Sequence, residues 1–136
     1  MNRFNIKVMV AEDDPDDALL LRDAFEEIKQ SSVVFYANGK LFAEQIERCI
    51  ETNHLPELVI VDLNMPLLDG KAIIRLLKSK EETAHIPVIV LSTSKSQEDI
   101  DTAMQLGANN FFTKPAKFSE LITILTDLND KWLSNG

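Results

Sequence analysis

Five side chains of this 136-residue sequence stand where short apolar runs give out. Glu12 and Asp13 follow the run Ile6 to Ala11, and Asp62 follows Leu58-Val59-Ile60-Val61 directly. Ser92 ends Val88-Ile89-Val90-Leu91, and Lys114 comes shortly after Phe111-Phe112. Three carboxylates gathered at one place repel, and they raise one another's pKa unless a cation sits among them. A small set of hard oxygen donors selects magnesium, which keeps several waters and is usually completed by phosphate oxygens. The same ion would offset the repulsion between a phosphoryl anion and an anionic nucleophile. Lys114 would hold a further phosphoryl oxygen as a mobile point charge, and Ser92 offers one hydroxyl donor. A carboxylate at the end of a β-branched run has no packing role, which marks Asp62 as the reactive group.

For these residues to meet, the runs must be neighbouring strands. Ile6–Ala11, Val33–Ala37, Leu58–Val61, Val88–Leu91 and the segment around Phe111 and Phe112 are short, apolar and rich in β-branched or aromatic residues. Between them lie segments of helical period. One runs from Pro15, a residue suited to a first helical position, through Gln30, with Leu21, Phe25 and Ile28 in phase. The others are Leu41–Ile50 with Phe42, Ile46, Cys49 and Ile50 on one face; Lys71–Lys80 with Ile73, Leu76 and Leu77 inward; Gln97–Leu106, stopped by Gly107; and Ser119–Leu133. Strands apolar on both faces, alternating with helices, predict a parallel sheet covered on both sides, an α/β three-layer sandwich of five strands and five helices. In such sheets ligands bind beyond the carboxyl ends of the strands, where all five chemical groups are placed.

Composition narrows the function further. Fourteen basic against twenty-two acidic residues give a formal charge of -8, which opposes binding to nucleic acid, and no basic patch is visible. A single cysteine, Cys49, excludes an intramolecular disulfide and reads as a small core residue. The stretch Met1 to Val10 is too short for a signal sequence or membrane span, so a cytoplasmic location and no membrane contact are expected. The length fits one domain, residues 1–136. The twenty-two residues after Lys114 provide one helix and no effector domain, so output is expected through the domain's own surface.

The strings Ala11-Glu12-Asp13-Asp14, Asp62-Leu63-Asn64-Met65-Pro66-Leu67-Leu68-Asp69-Gly70 and Lys114-Pro115, with Ser92 between them, resemble the receiver domains of two-component response regulators over nearly the whole chain. The resemblance implies the flavodoxin-like strand order 2-1-3-4-5, with Asp62 as phosphoacceptor. It further implies Glu12, Asp13, Asp62 and the backbone carbonyl of Asn64 as the magnesium set. Ser92 and Lys114 would bind the phosphoryl group, Ser92 and Phe111 would act as switch residues, and the Lys114-Pro115 peptide would be cis. Implied partners are a sensor histidine kinase or phosphotransfer protein and an output protein, with a homodimer compatible. No enzyme activity is expected beyond self-phosphorylation from a phosphodonor and slow self-dephosphorylation. Ala116 stands where the family usually has a large apolar residue, and Phe111 lacks the hydroxyl of tyrosine-bearing relatives. Leu91-Ser92-Thr93-Ser94 and Lys131-Trp132-Leu133 are similar to single-domain regulators paired with phytochrome-type kinases.

Haloacid dehalogenase-type phosphatases carry a second aspartate two residues past the nucleophile, where this chain has Asn64. A flavodoxin-like cofactor site would set its phosphate after the first strand, against Glu12, Asp13 and Asp14. A degenerate receiver used only for docking stays open, although Asp62, Ser92 and Lys114 are all present. Asp14, Asp16 and Asp17 read as helix-capping and first-turn residues, and Asp69-Gly70 as a turn and helix start. His54 and His85 read as loop residues, and Trp132 as packing for the last helix or a partner.

Overall fold

The computed structural model describes residues 6–133; the N-terminal stretch considered above therefore lies partly, from Met1 to Asn5, outside the described residues. The chain alternates β1 (Val8–Ala11), α1 (Pro15–Glu27), β2 (Val33–Tyr36), α2 (Gly39–Thr52), β3 (Leu58–Val61), α3 (Gly70–Ser79), β4 (Val88–Ser92), α4 (Gln97–Leu106), β5 (Asn110–Thr113) and α5 (Phe118–Trp132). The strands form one parallel sheet in the order β2-β1-β3-β4-β5. None of the helices among the described residues is long and apolar enough to cross a membrane.

The period-two geometry of a strand explains why the inner strands carry apolar residues on both faces. In β1, Val8 and Val10 point into the core under α1 and α5, while Met9 and Ala11 point into the core under α2, α3 and α4. Every residue of β1, β3 and β4 is buried, whereas the edge strands β2 and β5 are mostly half-buried. Ile60, fully enclosed on the α1/α5 side, contributes roughly 1.5–3 kcal/mol by leaving water.

Helix starts follow from side-chain caps. Asp14, Asn38, Asp69 and Ser96 each accept a backbone N–H from the first turn of α1, α2, α3 and α4. The cap at Asn38 starts α2 two residues before the expected Leu41, and left-handed Asn53 ends it after Thr52. In α3, Ile73, Ile74 and Leu77 are buried; Leu76, expected inward, is half-buried instead and borders a groove with Leu67 and Leu68. Gly107, at φ 117°, closes α4 as expected.

The topology determines where a site can lie. The chain leaves β1 toward β2 and returns to β3 on the opposite side, so the crevice opens between β1 and β3. Register places Ala11 level with Val61, and Ser92 level with Thr113. The residues following those strands therefore emerge together.

Candidate functional site

Glu12, Asp13 and Asp62 do meet. One carboxylate oxygen from each lies within 4.8 Å of the other two. Glu12 is 4% exposed and Asp62 8%, which is deep for acidic groups that share a crevice. Glu12 accepts the Asp14 N–H at 3.2 Å, and Asp62 accepts the Asn64 N–H at 3.4 Å. Asn64 is itself exposed, two residues beyond the strand end.

Lys114 closes the cluster from β5. Its Nζ lies 2.7 Å from Glu12 Oε1, 3.1 Å from Asp62 Oδ2 and 2.6 Å from Asp17 Oδ2. The lysine backbone is fixed by its N–H donating to Ser92 O at 2.7 Å, which ties the ends of β4 and β5. Ser92 is fully buried, and its Oγ accepts the Ser94 N–H at 3.2 Å. Phe111 is half-buried against the α2/α3/α4 core.

Charge balance governs the site. Burial pushes the Glu12 carboxyl up to about 7; the Lys114 hydrogen bond and the Asp14 N–H oppose this, and the Asp62 charge adds to it. Burial alone would lower the Lys114 pKa, yet its bonds to Asp17 and Glu12 and the charges of Glu12 and Asp62 hold the ammonium above its ordinary value. Three carboxylates thus share a single ammonium ion, and Asp13 adds a fourth to the crevice. The donors are all hard oxygens, and the surplus negative charge is what a small divalent cation would neutralise, so the residues present fit magnesium.

One expectation is corrected. The Lys114-Pro115 peptide is trans, as are all peptide bonds of the described residues. Trans is the ground state of such a bond by about 0.5–1 kcal/mol unless packing offsets it, and the small Ala116 side chain brings little packing to this turn. Asp17 is the first-turn helix residue that the sequence indicates, and it has a second role that the sequence reading did not include: it reaches across the crevice to make the shortest of the Lys114 contacts. Its signal in the sequence was faint: it stands in the first turn of the helix after the acidic cluster, four residues before the buried Leu21. The capping, loop and packing assignments agree with the structure. Asp14 caps α1, Asp69 caps α3, His54 and His85 are exposed outside the helices and strands, Cys49 is buried, and Trp132 packs against the α1/α5 core.

With this geometry in place, likeness to known proteins becomes informative. The family model for the response regulator receiver domain matches residues 8–126. The probable methanogenesis regulatory protein FilR2 of Methanothrix harundinacea is 29% identical over 128 residues, which cover 93% of this chain and 83% of that protein. A response regulator in red light signaling of R. palustris superposes with a TM-score of 0.83 at 32% identity, covering 96% of both chains. The phosphorylated cyanobacterial phytochrome response regulator RcpA superposes with a TM-score of 0.81 at 30% identity, covering 97% of this chain and 96% of that one. The chain spans about a third of the length of some longer curated relatives. An α/β sheet in the order 2-1-3-4-5, an acidic crevice facing a lysine, and a family match across most of the sequence lead to one conclusion: the chain belongs to the response regulator receiver domains.

Proposed function

We propose that this chain is the phosphoacceptor of a phosphorelay, with Asp62 as the acceptor. The observation that carries the reading is Lys114 Nζ 3.1 Å from Asp62 Oδ2, beside Glu12 and Asp13 at the mouth of the β1/β3 crevice. An Asp62 oxygen attacks the phosphorus of a phosphohistidine on a sensor histidine kinase or phosphotransfer protein. A phosphorus–oxygen bond forms as the phosphorus–nitrogen bond breaks, and the imidazole leaves with the electron pair. Hydrolysis of the resulting acyl phosphate returns Asp62 and inorganic phosphate. The protein is substrate as well as catalyst and turns over no separate substrate, so it is not an enzyme in the ordinary sense.

Glu12, Asp13 and Asp62, with the Asn64 carbonyl, would hold magnesium, which supplies charge neutralisation and alignment for the transfer. Lys114 exchanges carboxylate oxygens for a phosphoryl oxygen. Ser92 gives up the Ser94 N–H and donates its hydroxyl to the phosphoryl group. Phe111, only half-buried, has room to follow, and the surface formed by α4, β5 and α5 shifts to a partner-binding state. A kinase-linked role places the chain in the cytoplasm.

The test is intact-mass spectrometry after exposure to acetyl phosphate, with and without magnesium. One phosphoryl group should be gained, only with magnesium. Asp62→Asn should abolish the gain, while Lys114→Ala should keep the acceptor but blunt the partner response. Equal labelling of Asp62→Asn and wild type would refute the assignment.

A further inference from the structure

The Lys114 ammonium is shared among three carboxylates, but these do not have the same fate. Glu12 and Asp62 belong to the oxygen cluster suited to a divalent cation, whereas Asp17 lies outside it. A cation entering the cluster would compete with Lys114 for the oxygens of Glu12 and Asp62. The contact to Asp17, at 2.6 Å, is made to a carboxylate outside that cluster.

Lysine carries its charge on a flexible four-carbon stem, with about 2 kcal/mol of rotamer entropy to lose on being fixed. Here the stem has somewhere to go. A hollow of about 40 Å³ lies beside it, lined by Asp17, Leu20, Leu91, Pro115 and Leu121 among others. Asp17 is well placed to prevent that. Its backbone sits in the first turn of α1, held by Pro15 and by the Asp14 cap, which accepts the Asp17 N–H at 3.4 Å. Asp16, its neighbour, is exposed and does what a first-turn acid ordinarily does for the helix dipole.

We propose that Asp17 is a positioning residue: it tethers Lys114 over Asp62 so that the ammonium meets the incoming phosphoryl group already in place. The proposal rests on the phosphoacceptor reading above and adds a residue to it. With acetyl phosphate as donor, an Asp62 oxygen bonds to phosphorus as the bond to the acetyl oxygen breaks, and acetate leaves with the electron pair. Lys114 bears on the negative charge of the transferring group throughout, and Asp17 acts only through Lys114.

A double-mutant cycle isolates that dependence. Labelling rates by acetyl phosphate at saturating magnesium are measured by intact mass for wild type, Asp17→Ala, Asp17→Asn, Lys114→Ala and the Asp17→Ala/Lys114→Ala pair. Asp17→Ala should slow labelling about tenfold, equivalent to roughly 1.4 kcal/mol of transition-state stabilisation. Asp17→Asn, which keeps an acceptor without the charge, should fall between. In the Lys114→Ala background the same alanine change should alter the rate by less than about twofold. NMR of the lysine ammonium groups gives a readout independent of transfer. In the magnesium-loaded protein one slowly exchanging ammonium signal should be present in wild type and lost in Asp17→Ala. Should Asp17→Ala fold poorly, Asp17→Asn carries the same comparisons. Labelling by Asp17→Ala at or above the wild-type rate, or an undiminished effect in the Lys114→Ala background, overturns the tether. A wild type that never labels overturns instead the phosphoacceptor reading on which it stands.

Discussion

Glu12 illustrates how a single side chain can report on the whole site. Its carboxyl is pushed up to about 7, chiefly by burial, so the fold prefers it protonated. Because the folded-state value exceeds the ordinary 4.5, its contribution to stability is fully present below about pH 4.5 and is lost as pH rises through about 7. Divalent-cation binding must displace that proton. Calorimetry of magnesium binding in buffers of different ionisation enthalpy should therefore detect release of about one proton at pH 6 and clearly less at pH 8. A release independent of pH would remove Glu12 from the binding event. Glu12, Asp13, Asp62, Ser92 and Lys114 were legible in the sequence because each follows an apolar run, and a strand end is a place that sequence can mark. Asp17 was not. A carboxylate in a first helical turn satisfies the helix dipole whether or not it touches anything else, so its second role required a Lys114 located ninety-seven residues away.

Among the elements, strands were easier to anticipate than the caps and loops that aim them. β3 and α4 begin and end where apolar runs and Gly107 placed them, whereas α2 is longer at both ends because Asn38 and Asn53 decide its limits. The trans Lys114-Pro115 bond is a further case, since the dipeptide alone does not decide its isomer. The loop from β3 to α3 is held by close backbone approach: a β-carbon at Gly70 would run into the carbonyl oxygen of Asp62 and lie 2.8 Å from Leu63 Cα. Gly70→Ala should cost roughly 1–3 kcal/mol in urea denaturation, through forced backbone movement, and slow acetyl phosphate labelling as well. Normal labelling by that variant would show that Asp62 tolerates the shift. The loop from β4 to α4 is held differently. Ser92 Oγ accepts the Ser94 N–H, Ser94 Oγ donates to Asp99 Oδ2 at 2.7 Å, and Asp99 Oδ1 accepts from Lys71 Nζ at 3.1 Å. The Ser94 hydroxyl and Lys71 hold the Asp99 carboxyl below its usual range. This chain connects the buried serine to α4 and α3, so a rotation of the Ser92 side chain toward a phosphoryl group would loosen its first link. Hydrogen exchange across residues 93–100 should rise when beryllofluoride is added, and Ser94→Ala should raise it without the analogue. Unchanged exchange in both would place the switch elsewhere.

For the molecule as a whole, net charge and site charge act in the same direction. A formal charge of -8 surrounds a crevice in which Glu12, Asp13, Asp17 and Asp62 face a single lysine. The sheet beneath is apolar in β1, β3 and, up to Ser92, in β4, so the stability of the domain is built there and partly spent at the rim. Such a site should be improved by weakening its function, as expected where a cluster of like charges is kept for binding. Asp13 is the residue on which to test this, since it belongs to the oxygen cluster, is only half-buried and makes none of the Lys114 contacts. In the absence of divalent cations, Asp13→Asn should raise the melting temperature by several degrees, the equivalent of about 1 kcal/mol for a domain of this size. Added magnesium should raise the wild-type melting temperature by mass action and leave that of Asp13→Asn nearly unchanged. The two proteins should therefore exchange rank across a magnesium titration followed by calorimetric melting. If Asp13→Asn is the less stable at every concentration, repulsion in the crevice is not a cost that the fold bears.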